Sequence, residues 1–471
     1  MDSVNTQSTF ISKVMDRLCY GPDMVSLRQT VYKNMETECN RILSGERHIV
    51  LTGSKAEGLT AVLESDTDIM TVFTEIICSE NPASVRNREQ LTVFKTDMNY
   101  AAPGYTFLRI INVGHSPFGI IRIPDLLVEI SPRQIYLSSD FWKNEFKQNT
   151  IDDSNLPGNH GFKNVDRKNH GPSISISAFG TLFCDCVYAF VCNCPHYLNA
   201  WVSRKRLHKW PSSDLIREVS KLESHVVPVG SRDSCVQFLE WRICFTKGEI
   251  RLVQSLNDCL TKVLILLKQI AKVTLKPLSE DMTTYIMKNI VLWLAETNSY
   301  DSFTEDNLIL VLHLSLRLLK ICVLRNNLPS YMIPERNLLF NRLTVKQRTN
   351  ICMRIDFLLR EGPRIVLRWP KIRDAFTMIY RTPDEFDEFS KTRRQKQLFY
   401  LFHIEYILCR SPRRAFTPFT TVEQVMRALP FCDFTEGDFE RKSEEIKYLI
   451  SSLRDDINCA SAINQLKVYL A

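Results

Sequence analysis

The chain has 471 residues, 44% of them hydrophobic and 24% charged, a balance that favours a soluble globular protein of two or three domains or one bilobed unit. Sixty Lys and Arg against 53 Asp and Glu give a net charge of +7, which permits nucleic-acid binding without requiring it. The first residues lack the basic and apolar regions of a signal peptide and the 15 cysteines are scattered, so we expect a cytoplasmic protein with reduced thiols.

Two helices are predicted at the start of the chain, over residues 8–43. Apolar residues recur there at helical spacing, and the pattern is interrupted only at Gly21-Pro22-Asp23. A short buried strand follows at residues 48–51 and ends at Thr52 and Gly53. Glycine lets the backbone approach a ligand closely, and Ser54 adds a hydroxyl, so this turn is suited to holding a phosphate.

Asp66 and Asp68 lead into a second apolar run at residues 69–73. In an extended backbone their side chains point to the same side, where they repel each other by about 4 kcal/mol at 4 Å in an intermediate dielectric. Such a pair predicts a divalent metal site of the kind that serves phosphate chemistry. The alternative is an exposed acidic pair on a loop.

The middle of the chain is predicted to contain further strands, a helix and a long loop. Strands are expected at residues 91–96 and 105–113, and a helix at 136–146 with Ser138 or Ser139 as its cap. Residues 148–173 are polar and rich in Asn, Asp, Gly and Pro, so we interpret them as a surface loop.

Asp185 is the only charged residue in the strand-like run at residues 181–190. Burying an aspartate among apolar residues is costly without a partner, so Asp185 is a candidate third metal ligand beside Asp66 and Asp68. An exposed edge position would also explain it. Asp125 is a rival third acid, but Pro124 interrupts its strand.

Five potential zinc ligands surround Asp185, in two C-x-C pairs and one histidine. Zinc sites usually have two to four residues between paired cysteines, and on a strand the first pair shares the face opposite Asp185, so we expect packing and no zinc. These ligands are Cys184, Cys186, Cys192, Cys194 and His196.

The chain becomes helical after a strand at residues 241–245. Apolar periodicity predicts helices at 252–270, 283–295, 307–324 and 345–359, with a capping box from Ser302 to Glu305. Charged residues interrupt the 308–324 stretch, so we interpret it as a buried helix and expect no membrane partner. Helix starts are also predicted at Thr382-Pro383 and at Thr420.

Taken together, the stretches over residues 8–365 resemble the cyclic GMP-AMP synthase (cGAS)-like receptors, which are Mab-21-type nucleotidyltransferases. The resemblance is carried by GSKAEGL with ESDTDIM, YLSSDFWKNEF, LFCDCVYAF, LEWRICF with TKGE, DMTTYIMKNIVLWL, and SYMIPERNLLF. It implies an α+β, bilobed nucleotidyltransferase (Pol-beta-like) fold, with a mixed twisted sheet, an N-terminal spine helix and a C-terminal helical-bundle lobe. The expected divisions are a catalytic lobe at 1–245, a helical lobe at 246–365 and a helical extension of unknown role at 366–471.

The resemblance also assigns roles within the site. It implies that Asp66, Asp68 and Asp185 hold two Mg²⁺ or Mn²⁺ ions and that Gly53 and Ser54 hold the donor triphosphate. The nucleotide pocket would be lined by Arg242, Thr246, Glu249, Thr284 and Tyr285, the tyrosine ring stacking on a base. From the residues alone, a tyrosine within a helix such as Tyr285 is more often a core residue, and Arg242 could form a structural ion pair.

Three departures from the family pattern concern the ligand and the phosphates. The zinc thumb that vertebrate cGAS uses to bind DNA is missing, which favours RNA or another ligand. A family lysine that reaches the triphosphate falls on Leu264, so Lys262 or Lys268 is the expected substitute. A serine of the family's WRhSF motif is Cys244 here.

The resemblance implies an enzyme that makes a cyclic dinucleotide, such as 2′,3′-cGAMP, from ATP and GTP as an innate immune messenger. Activation by double-stranded RNA is expected, with a ligand-induced dimer as a further expectation. The alternatives are a catalytically inactive scaffold that binds a nucleotide or partner, and a polymerase that extends RNA tails. The expected nucleic-acid contacts are Lys13, Arg17, Arg28, Lys33, Arg204, Lys205, Arg206 and Lys209, each of which could instead lie on a solvated face.

Overall fold

The computed structural model describes residues 2–43, 47–61, 64–114, 122–149, 165–178 and 182–409. The strands are β1 Arg47–Thr52, β2 Thr67–Ser79, β3 Thr92–Asp97, β4 Tyr105–Asn112, β5 Leu127–Ser131, β6 Gln134–Leu137, β7 Val165–His170, β8 Ser173–Ala178, β9 Leu182–Asn193, β10 His225–Val227 and β11 Glu240–Cys244. The helices are α1 Asp2–Met15, α2 Pro22–Ile42, α3 Gly53–Ala56, α4 Ser139–Asn149, α5 Pro195–Ser203, α6 Ser213–Val219, α7 Thr246–Gln254, α8 Asp258–Ile270, α9 Thr284–Thr297, α10 Leu308–Arg325, α11 Val345–Arg360, α12 Pro370–Arg381 and α13 Pro383–Cys409. The predicted α+β class, with N-terminal helices, a mixed sheet and a C-terminal helical region, is confirmed.

The sheet closes on itself. β2 pairs with β3, and the pairing continues through β4, β11, β10 and β9, which returns to β2. The β2–β9 and β2–β3 pairs are parallel and the other pairs in the ring are antiparallel. β1 extends the sheet from β2, while β8 and β7 extend it from β9.

The two faces of the β2–β9 pair have different roles because side chains alternate along a strand. On one face, Phe73 and Phe190 pack with Trp142 of α4 and Trp241 of β11 in the main core. The Trp142 and Phe190 rings are 4.6 Å apart at their centroids. The other face carries Asp68 and Asp185, followed along the strands by a small valine-rich cluster.

The 148–173 segment was predicted to be a loop, and its described C-terminal part is different. β7 and β8 form an antiparallel hairpin that joins the edge of β9. The alternation Ser-Ile-Ser-Ile-Ser at 173–177 is a strand pattern, which the polar composition of the preceding residues obscured. Residues 150–164 lie outside the described part of the chain. The prediction of one helix at 136–146 also differs from the structure, in which this range contains the end of β6 followed by α4.

Two helix boundaries in the C-terminal region also differ from the prediction. The predicted 252–270 helix is broken between α7 and α8, and Asn257 caps α8 by accepting a hydrogen bond from the Leu260 amide at 3.0 Å. The capping box predicted at Ser302 does not form, because two 3₁₀ turns precede α10. Thr344 and Gln347 form a capping box at α11 instead. The helix start predicted at Thr382-Pro383 matches α13, whereas Thr420 lies outside the described residues.

α10 packs inside the helical region against α8, α9, α11 and α1. By length and hydropathy alone the segment Glu305–Arg325 could cross a membrane, and half of it is buried inside the protein. A central helix of a helical domain has the same composition, so this feature is weak evidence for a membrane span.

α12 and α13 fold back onto the N-terminal helices. Leu398 and Leu401 of α13 are buried against Cys19, Met24 and Leu27. Ion pairs add to this contact, because Lys371 of α12 and Arg393 of α13 both bind the half-buried Glu64. The described part of the C-terminal extension is therefore packed against the lobe that carries the acids.

Candidate active site

The structure brings the three predicted aspartates to one end of the sheet. β2 and β9 are parallel neighbours, and Asp68 lies directly opposite Asp185 in their register. Asp66 comes just before β2 and is exposed. Residues paired across neighbouring strands project to the same face, so the register alone places the Asp68 and Asp185 carboxylates side by side. Asp125, the rival acid, lies in a 3₁₀ turn with its carboxylate 3.8 Å from the Arg122 guanidinium.

Gly53 lies against the Asp68 carboxylate. Its φ is +70°, and a Cβ at this position would stand 1.9 Å from Asp68 Oδ2. Any side chain here would both strain the backbone and overlap the carboxylate. The turn therefore requires glycine, and it places the N-terminus of α3 beside the acids.

The charge at the three acids is not neutralised by ion pairs. Burial and the neighbouring Asp185 and Asp66 carboxylates raise the pKa of Asp68 to about 6. Asp185 accepts a hydrogen bond from the Ser175 hydroxyl. Within the described residues, no Lys or Arg is ion-paired with any of the three acids; the nearby Lys55 Nζ instead donates to Thr67 Oγ1 at 2.8 Å. Such a site fits divalent cations that prefer oxygen ligands.

A cleft of about 430 Å³ opens next to the acids, between the sheet and the helical region. Seven of the residues assigned from the sequence line this single cavity. They are Gly53, Asp68, Arg242, Thr246, Glu249, Thr284 and Tyr285. The cleft thus joins the carboxylates to the wall on which a nucleotide was expected.

The side chains of Tyr285 and Glu249 are hydrogen-bonded to each other in the cleft. The Tyr285 hydroxyl donates to Glu249 Oε1 at 2.8 Å. Burial and the Glu249 charge raise the pKa of Tyr285 to about 12, so its hydroxyl stays protonated at neutral pH. The tyrosine ring is only partly buried, which leaves part of its surface available for stacking.

A buried charge network that the sequence analysis missed forms the base of the cleft. Glu57 is 2% exposed and lies 3.2 Å from the Lys268 ammonium and 3.0 Å from that of Lys288. Lys288 also lies 3.0 Å from Glu249, and Lys268 donates to Ser54 Oγ at 2.8 Å. Although burial opposes its ionisation, the two ammonium groups lower the pKa of Glu57. The two lysines and the two carboxylates balance in charge, and the Lys268 ammonium is the cation that reaches the turn where a phosphate was expected.

One signal for Lys288 was present in the sequence. It follows Thr284 by four residues and Tyr285 by three, so the helical repeat puts all three on one face of α9. Arg336 and Arg342 also line the cleft, and they come from the irregular segment between α10 and α11, where no periodicity marks them.

The two lysines proposed as substitutes for Leu264 differ in their placement. Lys268 reaches Ser54, as described above. Lys262 is 1% exposed and its ammonium lies 2.6 Å from both Asp16 and Asp258 and 2.7 Å from the Ser12 hydroxyl. Because these partners join α8 to the N-terminal helices, a substrate role for Lys262 is wrong and its role is structural.

Several predicted nucleic-acid contacts are also internal. Arg28 is 0% exposed and donates to the carbonyls of Gly58 and Cys19. The guanidinium groups of Arg204 and Arg206 lie 2.8 and 3.1 Å from the Glu296 carboxylate. Arg28, Arg204 and Arg206 therefore do not belong to a nucleic-acid surface.

The other predicted nucleic-acid contacts lie at the surface. Arg17 is partly exposed and ion-paired with Asp387. The exposed members of the predicted set are Lys13, Lys33, Lys205 and Lys209.

The two C-x-C pairs do not gather into a compact metal site with His196. Cys184 and Cys186 have their Sγ atoms 3.7 Å apart, and Cys192 and Cys194 are buried. Among the described residues, one group of three potential ligands has all its ligand atoms within 4.8 Å, and it is His48, Glu223 and His225. The three aspartates are more widely spaced than that.

Comparison with known families adds one match. Residues 240–357 match the Mab-21 protein HhH/H2TH-like domain. No curated protein matches the chain. The matched range runs from β11 into α11, and it includes the cleft residues from Arg242 to Arg342. Residues 240–357 are therefore similar to the Mab-21 HhH/H2TH-like domain, and this segment supplies the helical wall of the cleft.

Proposed function

We propose that the protein is a metal-dependent nucleotidyltransferase with a Pol-beta-like catalytic lobe, which joins two nucleoside triphosphates into a cyclic dinucleotide. The observation that carries this proposal is the register of Asp68 and Asp185, with Asp66 beside them, at the entrance of a cleft. Unpaired carboxylates next to buried lysines are the charge pattern that phosphoryl transfer requires. Membership of the cGAS-like branch rests on the sequence resemblance described above.

The acids and the cleft have complementary roles in this reaction. Two Mg²⁺ or Mn²⁺ ions on Asp66, Asp68 and Asp185 would lower the pKa of the acceptor hydroxyl and neutralise the leaving pyrophosphate. The acceptor oxygen forms a bond to the α-phosphorus, the bond to the bridging oxygen breaks, and the hydroxyl proton passes to water. Ser54 and Lys268, which are hydrogen-bonded to each other, would hold the donor triphosphate, and a second reaction at the same site would close the ring.

The helical wall positions the base. In the proposed complex the Tyr285 ring stacks on a nucleobase, while Lys288 stands 5.1 Å from that ring and neutralises Glu249. Arg242, Arg336 and Arg342 also line the cleft and add positive charge to it. This arrangement suits a polyphosphate bound at the sheet with its base against α9.

Activation by double-stranded RNA is the regulatory part of the proposal. An RNA duplex is bound by shape, through phosphates and 2′-hydroxyls, so exposed lysines without a base-reading motif are sufficient. Lys13, Lys33, Lys205 and Lys209 remain as candidate contacts. The expected product is a dinucleotide such as 2′,3′-cGAMP made from ATP and GTP in the cytoplasm.

A second candidate is a scaffold that binds a nucleotide or partner without catalysis. One observation favours it, because the Ser175 hydroxyl already donates to the third acid, Asp185. That bond uses Oδ1 of Asp185, one of the two oxygens that could bind a metal.

The experiment is incubation of the protein with all four triphosphates, Mg²⁺ or Mn²⁺, and long double-stranded RNA, double-stranded DNA or neither. Mass spectrometry of the products is the measurement. A cyclic dinucleotide formed only with duplex RNA supports the whole proposal, and linear oligonucleotides would indicate the polymerase alternative. Nucleotide binding without any product under all conditions would indicate the scaffold.

A further inference from the structure

A second constellation of potential ligands lies away from the cleft. It consists of His48 on β1, His225 on β10 and Glu223 two residues before β10. His48 pairs with Val72, four residues along β2 from Asp68, which corresponds to about 13 Å along the strand. The constellation is therefore separate from the three aspartates.

The distances within this constellation approach those of a metal centre. His48 Nε2 is 3.4 Å from Glu223 Oε2, and His225 Nε2 is 3.9 Å from the same oxygen. Tetrahedral zinc has ligand bonds of about 2.0–2.1 Å, which separate neighbouring ligand atoms by about 3.3 Å. The two distances to Glu223 would have to shorten by about 0.1 and 0.6 Å, and all three ligand atoms lie within 4.8 Å of one another.

His225 supplies an independent sign of a missing ligand. Its side chain is 0% exposed, and neither ring nitrogen has a hydrogen-bond partner. Its backbone is held between β9 and β11, opposite Val191 and Cys244, which fixes the face of the sheet from which the ring projects. A buried polar group is normally satisfied, and imidazole is the commonest metal ligand in proteins, so a bound ion would account for the free ring nitrogens.

Lys247 on α7 marks the place of a cation. Its ammonium lies 2.5 Å from Glu223 Oε2, and its side chain is 25% exposed. A lysine on a flexible stem can withdraw to solvent when a divalent ion takes the carboxylate. Lys247 is therefore the competitor that metal binding has to displace.

We propose that His48, Glu223 and His225 form a binding site for a divalent transition metal of the Zn²⁺ class. Two imidazoles and one carboxylate suit Zn²⁺ rather than Mg²⁺, which prefers oxygen ligands. The ion would join β1 to β10, two strands that do not pair with each other, and would release Lys247 on the helix that carries Glu249. Its role is structural, and the proposal does not rest on nucleotide transfer.

The test is a titration of the full-length protein with Co²⁺ as a spectroscopic probe and with Zn²⁺ in competition. With excess Mg²⁺ present to occupy the three aspartates, we expect one further Co²⁺ per chain, with visible d–d bands and no thiolate-to-metal charge-transfer band. His48→Gln should weaken binding by more than about 100-fold, beyond what loss of an outer-shell partner costs. Lys247→Met should strengthen it, and His208→Gln, outside the constellation, should leave it unchanged.

Folding and binding are separated by a second measurement. The ring of His48 is partly exposed, so His48→Gln should keep the metal-free melting temperature of the native protein while losing its rise with Zn²⁺. Equal Co²⁺ affinity in the native protein and His48→Gln would overturn the proposal. A strong thiolate band that survives in His48→Gln would also overturn it, because the metal would then be held by cysteines.

Discussion

Replacing Asp68 by asparagine should make the metal-free protein more stable. The folded protein holds the Asp68 pKa at about 6, because burial and the neighbouring acids disfavour its charged form; its ordinary value is 3.8. That rise corresponds to about 3 kcal/mol. Asparagine keeps the shape of the side chain and removes the charge.

The gain should depend on pH in a defined direction. A raised folded-state pKa means that ionisation favours the unfolded chain, so the cost is complete above about pH 6 and absent below about pH 3.8. Asp68→Asn should therefore stabilise by up to about 3 kcal/mol at pH 7.5, and the gain should shrink steadily as the pH falls from 6 towards 4.

Urea unfolding in the presence of a chelator, repeated across this pH range, measures the effect. Asp125→Asn is the matched control, because that carboxylate is exposed and should show little change. Mg²⁺ should stabilise the native protein and not Asp68→Asn. If Asp68→Asn destabilises the protein equally at every pH, Asp68 makes a native bond as a carboxylate and the reasoning fails.

Three further changes test other parts of the structure. Gly53→Ala should abolish metal-dependent nucleotide binding, measured by calorimetry, because its Cβ would overlap Asp68 Oδ2. Glu64→Gln should lower the unfolding free energy at pH 7 by about 3 kcal/mol in urea titrations, since Lys371 and Arg393 outweigh burial and hold the Glu64 pKa at about 2. The native contribution of Glu64 should be lost as the pH falls from 4.5 towards 2. Reversing the charge of Lys205 and Lys209 by substitution with glutamate should weaken RNA binding. The slope of log K against log salt concentration should fall in magnitude by roughly one per lysine, measured by fluorescence anisotropy in a salt series.

Each of these changes has its own control. Gly362→Ala shares a positive φ of +57° but meets nothing within 4 Å, so it separates backbone strain from overlap. Equal nucleotide binding in the Gly53 variant would contradict the placement of that turn. Glu385 is exposed, so Glu385→Gln should leave the unfolding free energy unchanged. An unchanged unfolding free energy in Glu64→Gln as well would show that the ion pairs of Glu64 are weak. Arg204→Glu should unfold the protein rather than weaken RNA binding alone. Unchanged RNA binding after charge reversal at the two lysines would exclude their surface as the RNA contact.

The site could be predicted where it depends on local pattern. Strand periodicity placed β1 and the start of β2, and the two-residue repeat placed Asp66 and Asp68 before the apolar run. Asp185 was favoured over Asp125 because a charge inside an apolar strand needs a partner, and the structure sets Asp185 opposite Asp68. A strand pattern does not show which other strand will pair with it, so the register of Asp68 with Asp185 could be known only from the fold.

Long-range charge pairs could not be predicted. Arg204 and Arg206 look like a basic run, yet their partner Glu296 lies about 90 residues away and buries them. The same holds for Lys288, which reads as a solvated helix residue until Glu57 and Glu249 are placed beside it. A single sequence shows which residues are charged but not which of them form ion pairs. Whether a charged residue is buried depends on that pairing.

The central claim is that Asp66, Asp68 and Asp185 act together on nucleotides, and it is tested most directly by comparing the native protein with Asp185→Asn. Both are given ATP, GTP, Mg²⁺ and duplex RNA, with nucleotide binding and product mass measured on the same samples. We predict a cyclic dinucleotide from the native protein and none from the variant, which should stay folded and still bind the nucleotide base. Equal product from the two proteins, or nucleotide binding without product from the native protein, would contradict the account.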